Sequence, residues 1–139
     1  MDSNLVKLVL QEKTENKIKT FQELKDEKND ILKNLFSKYL YYEINKENFK
    51  EIIDKLEDYI YVNLEDTQLN EGDYIRYINP KFFYDLKLGL GGFVTKIDNN
   101  IIQIVNNDKI LNIDNEKLLV FKKLNNEDII KLTILENVW

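Results

Sequence analysis

The sequence predicts an α+β fold in which an N-terminal helical hairpin packs on a five-stranded C-terminal barrel that ends in a short helix. Three observations carry this. Apolar residues recur at helical spacing between Lys17 and Ile60, and between Asp73 and Lys122 they fall into short runs rich in β-branched and aromatic residues. Gly- and Asn-rich turns separate those runs. The natural division lies between residues 1–67 and 68–139.

Near the N-terminus, Asp2 or Ser3 can cap a helix through Leu5, Val6, Leu8, Val9 and Leu10, although the same residues would serve a strand. From about Lys17 to Tyr42, a stripe of Ile18, Phe21, Leu24, Ile31, Leu35 and Tyr39, widened by Leu32, Phe36 and Leu40, describes an amphipathic helix. Asn45 can cap a second helix. Its apolar face is Phe49, Ile52, Ile53, Leu56, Tyr59 and Ile60, and its polar face holds Glu51, Asp54, Lys55 and Asp58. The short link makes the pair an antiparallel hairpin, too small to bury both faces alone. Strands are expected at Asp73–Ile78, Gly92–Ile97, Ile101–Asn106, Ile110–Ile113 and Leu118–Lys122. Asn99-Asn100 and Asn106-Asn107-Asp108 sit where tight hairpins are needed, because Asn tolerates positive φ; strands two to four therefore form a meander. Asn125 or Asn126 can cap the last helix, which buries Ile129, Ile130, Leu132, Ile134 and Leu135 and leaves Val138 and Trp139 to dock or dangle.

The formal charge is −5, and it is unevenly placed: residues 1–68 carry 11 basic and 15 acidic side chains, residues 69–139 carry 9 and 10. A generic phosphate-backbone binder needs a basic excess, so non-specific nucleic-acid or anionic-membrane binding is disfavoured. No run approaches the roughly 20 apolar residues of a bilayer span, and no secretory leader is visible, so a cytoplasmic protein is expected. The chain has no Ala, His or Cys, and a single Arg, Arg76, against 19 Lys. Together with its many Asn and Ile, this usage matches AT-rich codons and an AT-rich genome.

Without His or Cys the commonest general base, transition-metal ligand and thiolate nucleophile are missing. Ser3 and Ser37, the only serines, lie in no nucleophile-elbow context, and Gly89, Gly91 and Gly92 lack both the Walker Lys-Ser/Thr and the dinucleotide spacing. Glu51, Asp54, Glu57 and Asp58 are the richest carboxylate cluster, and a solvated helix face accounts for them. A non-enzymatic protein with no cofactor and no metal is expected.

Gly72-Asp73 opening an apolar strand, followed after a loop by Gly89-x-x-Gly92-x-Val94-x-x-Ile97, resembles the KOW motif of SH3-like barrels. The likeness covers about residues 69–123. It implies an SH3-like (KOW-like) five-stranded barrel and a binding module, since such barrels contact RNA or protein in ribosomal proteins and elongation factors. The loop from Asn79 to Leu88 is longer than that pattern, and the stretch is less basic. Gly-Asp-Tyr-Ile-Arg-Tyr with Gly-Gly-Phe-Val, in this composition, also looks like small proteins of giant nucleocytoplasmic DNA viruses.

The candidate binding surface is Tyr74, Arg76, Lys81, Phe82, Phe83, Tyr84, Lys87 and Lys96. On the first strand Ile75 and Tyr77 should point inward and Tyr74 and Arg76 outward. The long loop sets three successive aromatics beside Lys81, suited to a peptide or a stacked base, unless the loop folds over the barrel end and plugs the core or seats the helical hairpin. The leading expectation is a protein-interaction module, a component of a viral or cellular assembly with a protein partner. Its competitor is an RNA- or DNA-binding accessory of transcription or translation. Convergence of Arg76, Lys81, Lys87 and Lys96 on one face would favour the competitor, and an exposed apolar patch the module.

Overall fold

Of the first helical stripe, Ile18 lies outside the described residues; the helix that carries the rest is capped by Thr20, whose hydroxyl accepts the Glu23 amide at 3.1 Å. In the computed structural model, which describes residues 19–138, helix α1 runs Phe21–Ser37 and helix α2 Glu43–Lys55. The expected segment from Leu5 to Leu10, and Trp139, lie outside the described residues. Two expectations about α2 are corrected. Tyr42, not Asn45, occupies its N-cap position, and Leu56 leaves helical geometry, so the apolar Tyr59-Ile60-Tyr61-Val62 run is a strand. Leu56, Tyr59 and Ile60 fit a helical stripe by spacing, but aromatic and β-branched residues in succession suit a pleated surface. Lys28, almost fully buried, closes this helix end by donating its ammonium to the carbonyls of Leu56 (2.7 Å) and Glu57 (3.2 Å).

The strands are β1 (Tyr59–Val62), β2 (Tyr74–Ile78), β3 (Gly92–Asp98), β4 (Ile101–Asn106), β5 (Lys109–Asp114) and β6 (Leu119–Lys123), and helix α3 spans Asn126–Val138. All pairings are antiparallel, in the order β1-β6-β2-β3-β4-β5, and the sheet stays open between β1 and β5. Six strands thus replace the expected five, with β1 the added one. The meander of β3, β4 and β5 forms as expected, its turns entered by Asn99 and Asn107, both at φ 55°.

Alternation along the strands makes two cores. On one side Tyr59, Ile78 and Phe121 meet Leu32, Phe36, Ile52 and Leu56 of the helical hairpin. On the other, Val62, Ile75, Val94, Ile102, Ile104, Ile113 and Val120 form one cluster that draws on all six strands. Gly92 sits in that interior: a Cβ there would lie 3.0 Å from Ile104 Cδ1 and the Val105 carbonyl, so a side chain would have to push both back by a few tenths of an ångström.

Helix α3 is capped reciprocally, with the Asp128 amide donating to Asn125 Oδ1 (2.8 Å) and the Asn125 amide to Asp128 Oδ2 (3.1 Å). Leu132 and Ile134 are buried as expected, while Ile129 and Ile130 are exposed, which corrects that part of the pattern. A buried ionic knot ties the helix to the sheet. Lys122, only 4% exposed, lies 3.6 Å from Asp73 and 3.3 Å from Asp128. Asp73 also accepts the Asn70 amide at 2.8 Å, closing its own turn.

Candidate functional site

The loop between β2 and β3 decides where the aromatic residues go, and Asn45 decides where the loop goes. Asn45 is fully buried in the first turn of α2. Its amide donates to the carbonyls of Tyr39 (2.9 Å) and Phe83 (2.8 Å), and its Oδ1 accepts the Leu86 amide (2.8 Å). One side chain therefore joins the α1–α2 turn, α2 and the loop. Three residues on, Asn48 donates to Asp85 (2.8 Å), which also pairs with Lys87 at 3.1 Å; both interactions hold the Asp85 carboxyl below the usual carboxylate range. Leu86 is buried in the helix-side core and completes the attachment.

Pinned this way, the loop lays its rings against those of the α1–α2 turn. Phe83 stacks on Tyr39 (centroids 5.2 Å, interplanar 27°) and lies 6.0 Å from Tyr42, which packs on Tyr41 at 4.2 Å. Tyr84 stands edge-on to both Phe83 (5.9 Å) and Phe82 (6.4 Å). Six rings from two segments thus make one connected aromatic surface, with geometries that aromatic pairs favour. It is not a core. Phe82 is 49% exposed, Tyr84 53% and Tyr41 73%. The loop therefore both seats the helical hairpin and presents aromatics outward. Tyr39, Tyr41 and Tyr42 were missed by sequence reasoning, since a helical stripe absorbed Tyr39; the Tyr39-Leu40-Tyr41-Tyr42 run just beyond the helix was the available signal.

The remaining candidates are scattered. Tyr74 and Arg76 do not point to open solvent: both are half-buried on the face of β2 that packs toward the helices. The Tyr74 ring leans on Phe93 (5.1 Å) and on the backbone of Gly91, where a Cβ would lie 2.4 Å from the ring. Arg76 donates from Nε to the Gly89 carbonyl at 3.1 Å, fastening the chain that returns from the loop. Ile75 and Tyr77 face the other core, as alternation requires. Lys81 is exposed beside the aromatic surface in sequence, Lys87 is paired with Asp85, and Lys96 projects from β3, where it lines a depression with Asp98, Ile101, Gln103 and Asn112. Arg76, Lys87 and Lys96 therefore serve three different places.

Below the aromatic surface, a cleft of about 220 Å³ lies between α2 and the loop, lined by Asn48, Glu51, Ile52, Lys55, Leu86, Lys87 and Leu88. Glu51 there is paired with Lys55, whose ammonium hydrogen-bonds one of its oxygens and pulls its carboxyl below the ordinary range. Among the described residues no three acids converge as a metal site would need, and no helix is long and apolar enough to cross a membrane.

Fold and surface together define a small α+β protein built on an open six-stranded antiparallel sheet, with an aromatic platform where its helical hairpin meets a sheet loop. No family model matches the sequence, and comparison with curated proteins and with solved structures found no match.

Proposed function

We propose that this protein is a non-enzymatic protein-interaction module whose contact surface is the aromatic platform of Tyr41, Phe82, Phe83 and Tyr84. One observation carries the reading: three of the four rings stay about half or more exposed although Asn45 fastens the backbone next to them, at Tyr39, Phe83 and Leu86. Rings fixed before binding lose little conformational entropy when a partner covers them, and exposed aromatic clusters are the composition of interface hot spots. The SH3-like, KOW-like architecture belongs to the same proposal. It is supported by the meander of β3 to β5, by β6 returning beside β2, and by an interior cluster fed from every strand, as in a sheet coiled toward a barrel. On this reading β1 is an addition at the barrel edge, and the protein works in the cytoplasm as part of a viral or cellular assembly.

The competing reading, base stacking by the same rings, requires cations tracking a phosphate backbone. Arg76 and Lys87 are already engaged by Gly89 and Asp85, and Lys96 lies elsewhere on the sheet, which speaks against it. The test is affinity capture of the tagged full chain from its native cells, with and without nuclease, beside the Phe82→Ala/Tyr84→Ala variant. Proteins retained after nuclease and lost in the folded variant are the expected result. Recovery that collapses with nuclease, in step with enriched nucleic acid, would overturn it.

A further inference from the structure

Sheet edges are normally guarded, because their unpaired amides and carbonyls invite another strand. The two edges here are treated differently. β1 is almost wholly buried and α1 packs along it, whereas β5 shows its first four residues to solvent, including Ile110 (63%) and Leu111 (41%) on opposite faces. The β5 edge is also regular, pairing with β4 through six successive residues without a bulge. The β4–β5 turn has two residues, so Asn106 and Lys109 close it with mutual hydrogen bonds, and the Asn115 amide bonds the Asn100 carbonyl (2.8 Å) in the same alternation. Ile110 and Asn112 consequently aim their amides and carbonyls at the vacant side, and Asp114 its amide alone, since its carbonyl already accepts the Lys117 (3.1 Å) and Leu118 (2.9 Å) amides of the turn that follows.

The outer face is patterned in rows that stop at this edge. Register places Tyr74, Phe93, Val105 and Ile110 in an apolar row, Lys96, Gln103 and Asn112 in a polar one, and Asp98, Ile101 and Asp114 in one with two acids. On the inner face, Ile104 and Leu111 make one row and Ile102 and Ile113 another. Neither Asp98 nor Asp114 has a cationic partner among the described residues. We propose that β5 accepts, by antiparallel strand addition, an extended segment of another protein reading basic–apolar–polar–apolar–apolar, its cation beside Asp114 and its last apolar side chain beside Ile110.

A second copy of this chain fits worse, for a reason of parity. A two-fold axis normal to the sheet keeps inner faces with inner faces, so only residues whose numbers are both odd or both even can oppose each other. Lys109 and Lys117 are odd and Asp114 is even, so no such register sets either lysine opposite Asp114; centring on Leu111 sets Asp108 against Asp114 instead.

The test is fluorescence anisotropy of the full chain with labelled Ser-Lys-Val-Thr-Val-Ile-Ser, beside the same peptide carrying Glu for Lys. Saturable binding of the Lys peptide is expected, weakened roughly tenfold or more by the Glu exchange or by Ile110→Lys on the protein. Asp114→Asn retains the acceptor that the Glu116 amide uses and should erase the preference for Lys over Glu. Phe82→Ala/Tyr84→Ala should leave this binding unchanged, which separates it from the aromatic platform. Equal affinity for both peptides, or no saturation by about 1 mM, overturns the proposal. So does sedimentation showing a dimer that Ile110→Lys dissolves, since the copy would then hold the edge.

Discussion

Asn45→Ala is the perturbation that most directly tests how the aromatic surface is held. The wild-type side chain makes three hydrogen bonds, at 2.9 Å to Tyr39, 2.8 Å to Phe83 and 2.8 Å from Leu86, while fully buried. Neutral bonds contribute about 1 kcal/mol each, so the loss is roughly 3 kcal/mol, with the Leu86 amide at the costly end because it is left buried and unpaired. Urea unfolding followed by circular dichroism should show this as a lower midpoint at constant m. A loss under about 1 kcal/mol would refute the pinning role, since even one orphaned buried amide should cost that much. Asn45→Asp sharpens the test: a carboxylate can still accept the Leu86 amide but cannot donate to the two carbonyls. Its destabilisation should exceed that of Ala at neutral pH and shrink on acidification, because protonation restores one donor and removes a buried charge.

Other outcomes follow from features away from the platform. Gly91→Ala drives a methyl toward the Tyr74 ring and should cost about 1–3 kcal/mol in the same assay, whereas Gly72, whose neighbourhood is open, tests backbone strain alone through its φ of 91°. Lys122→Met strands Asp73 and Asp128 and should cost about 3 kcal/mol, while Asp128→Asn, which keeps an acceptor for the cap, should cost under about 1 kcal/mol. Burial lowers the Lys28 pKa, so between that lowered value and the unfolded one the unfolded chain binds more protons and stability rises with pH; Lys28→Met should remove this rise. Burial raises the phenol pKa of Tyr59 and Tyr61, so above about pH 10 the sign reverses and stability falls as the unfolded tyrosines ionise first. Stability–pH curves of the two proteins check both limbs.

What could be read from sequence was what local chemistry decides. The strand runs at 74–78, 92–98 and 101–106, the Asn-led hairpins and the α3 cap are each set by residues within a few positions of one another. What could not be read depends on distant partners. Tyr59–Val62 becomes a strand because Val120–Lys123 offers it an edge, a pairing across some sixty positions that no helical or period-two pattern reports. Arg76 looked like an open contact residue because its partner, the Gly89 carbonyl, is brought beside it only by the fold of the long loop. The aromatic loop was the reverse: its composition announced a surface, and the three tyrosines that extend it were hidden in what reads as the tail of a helix.

The pairing of β1 with β6 also sets an order in time. During synthesis the helical hairpin leaves the ribosome before the sheet, yet the residues it packs on include Ile78 and Phe121, and β1 has no strand partner until Leu119–Lys123 is made. The β3–β5 meander, with turns of two residues, can close early and alone, while the hairpin and β1 wait with apolar faces uncovered. Ribosome-held chains ending before Leu119 should therefore carry a protease-sensitive hairpin beside a protected meander. The last sheet strand to be translated would be the one that lets the first half of the protein finish folding.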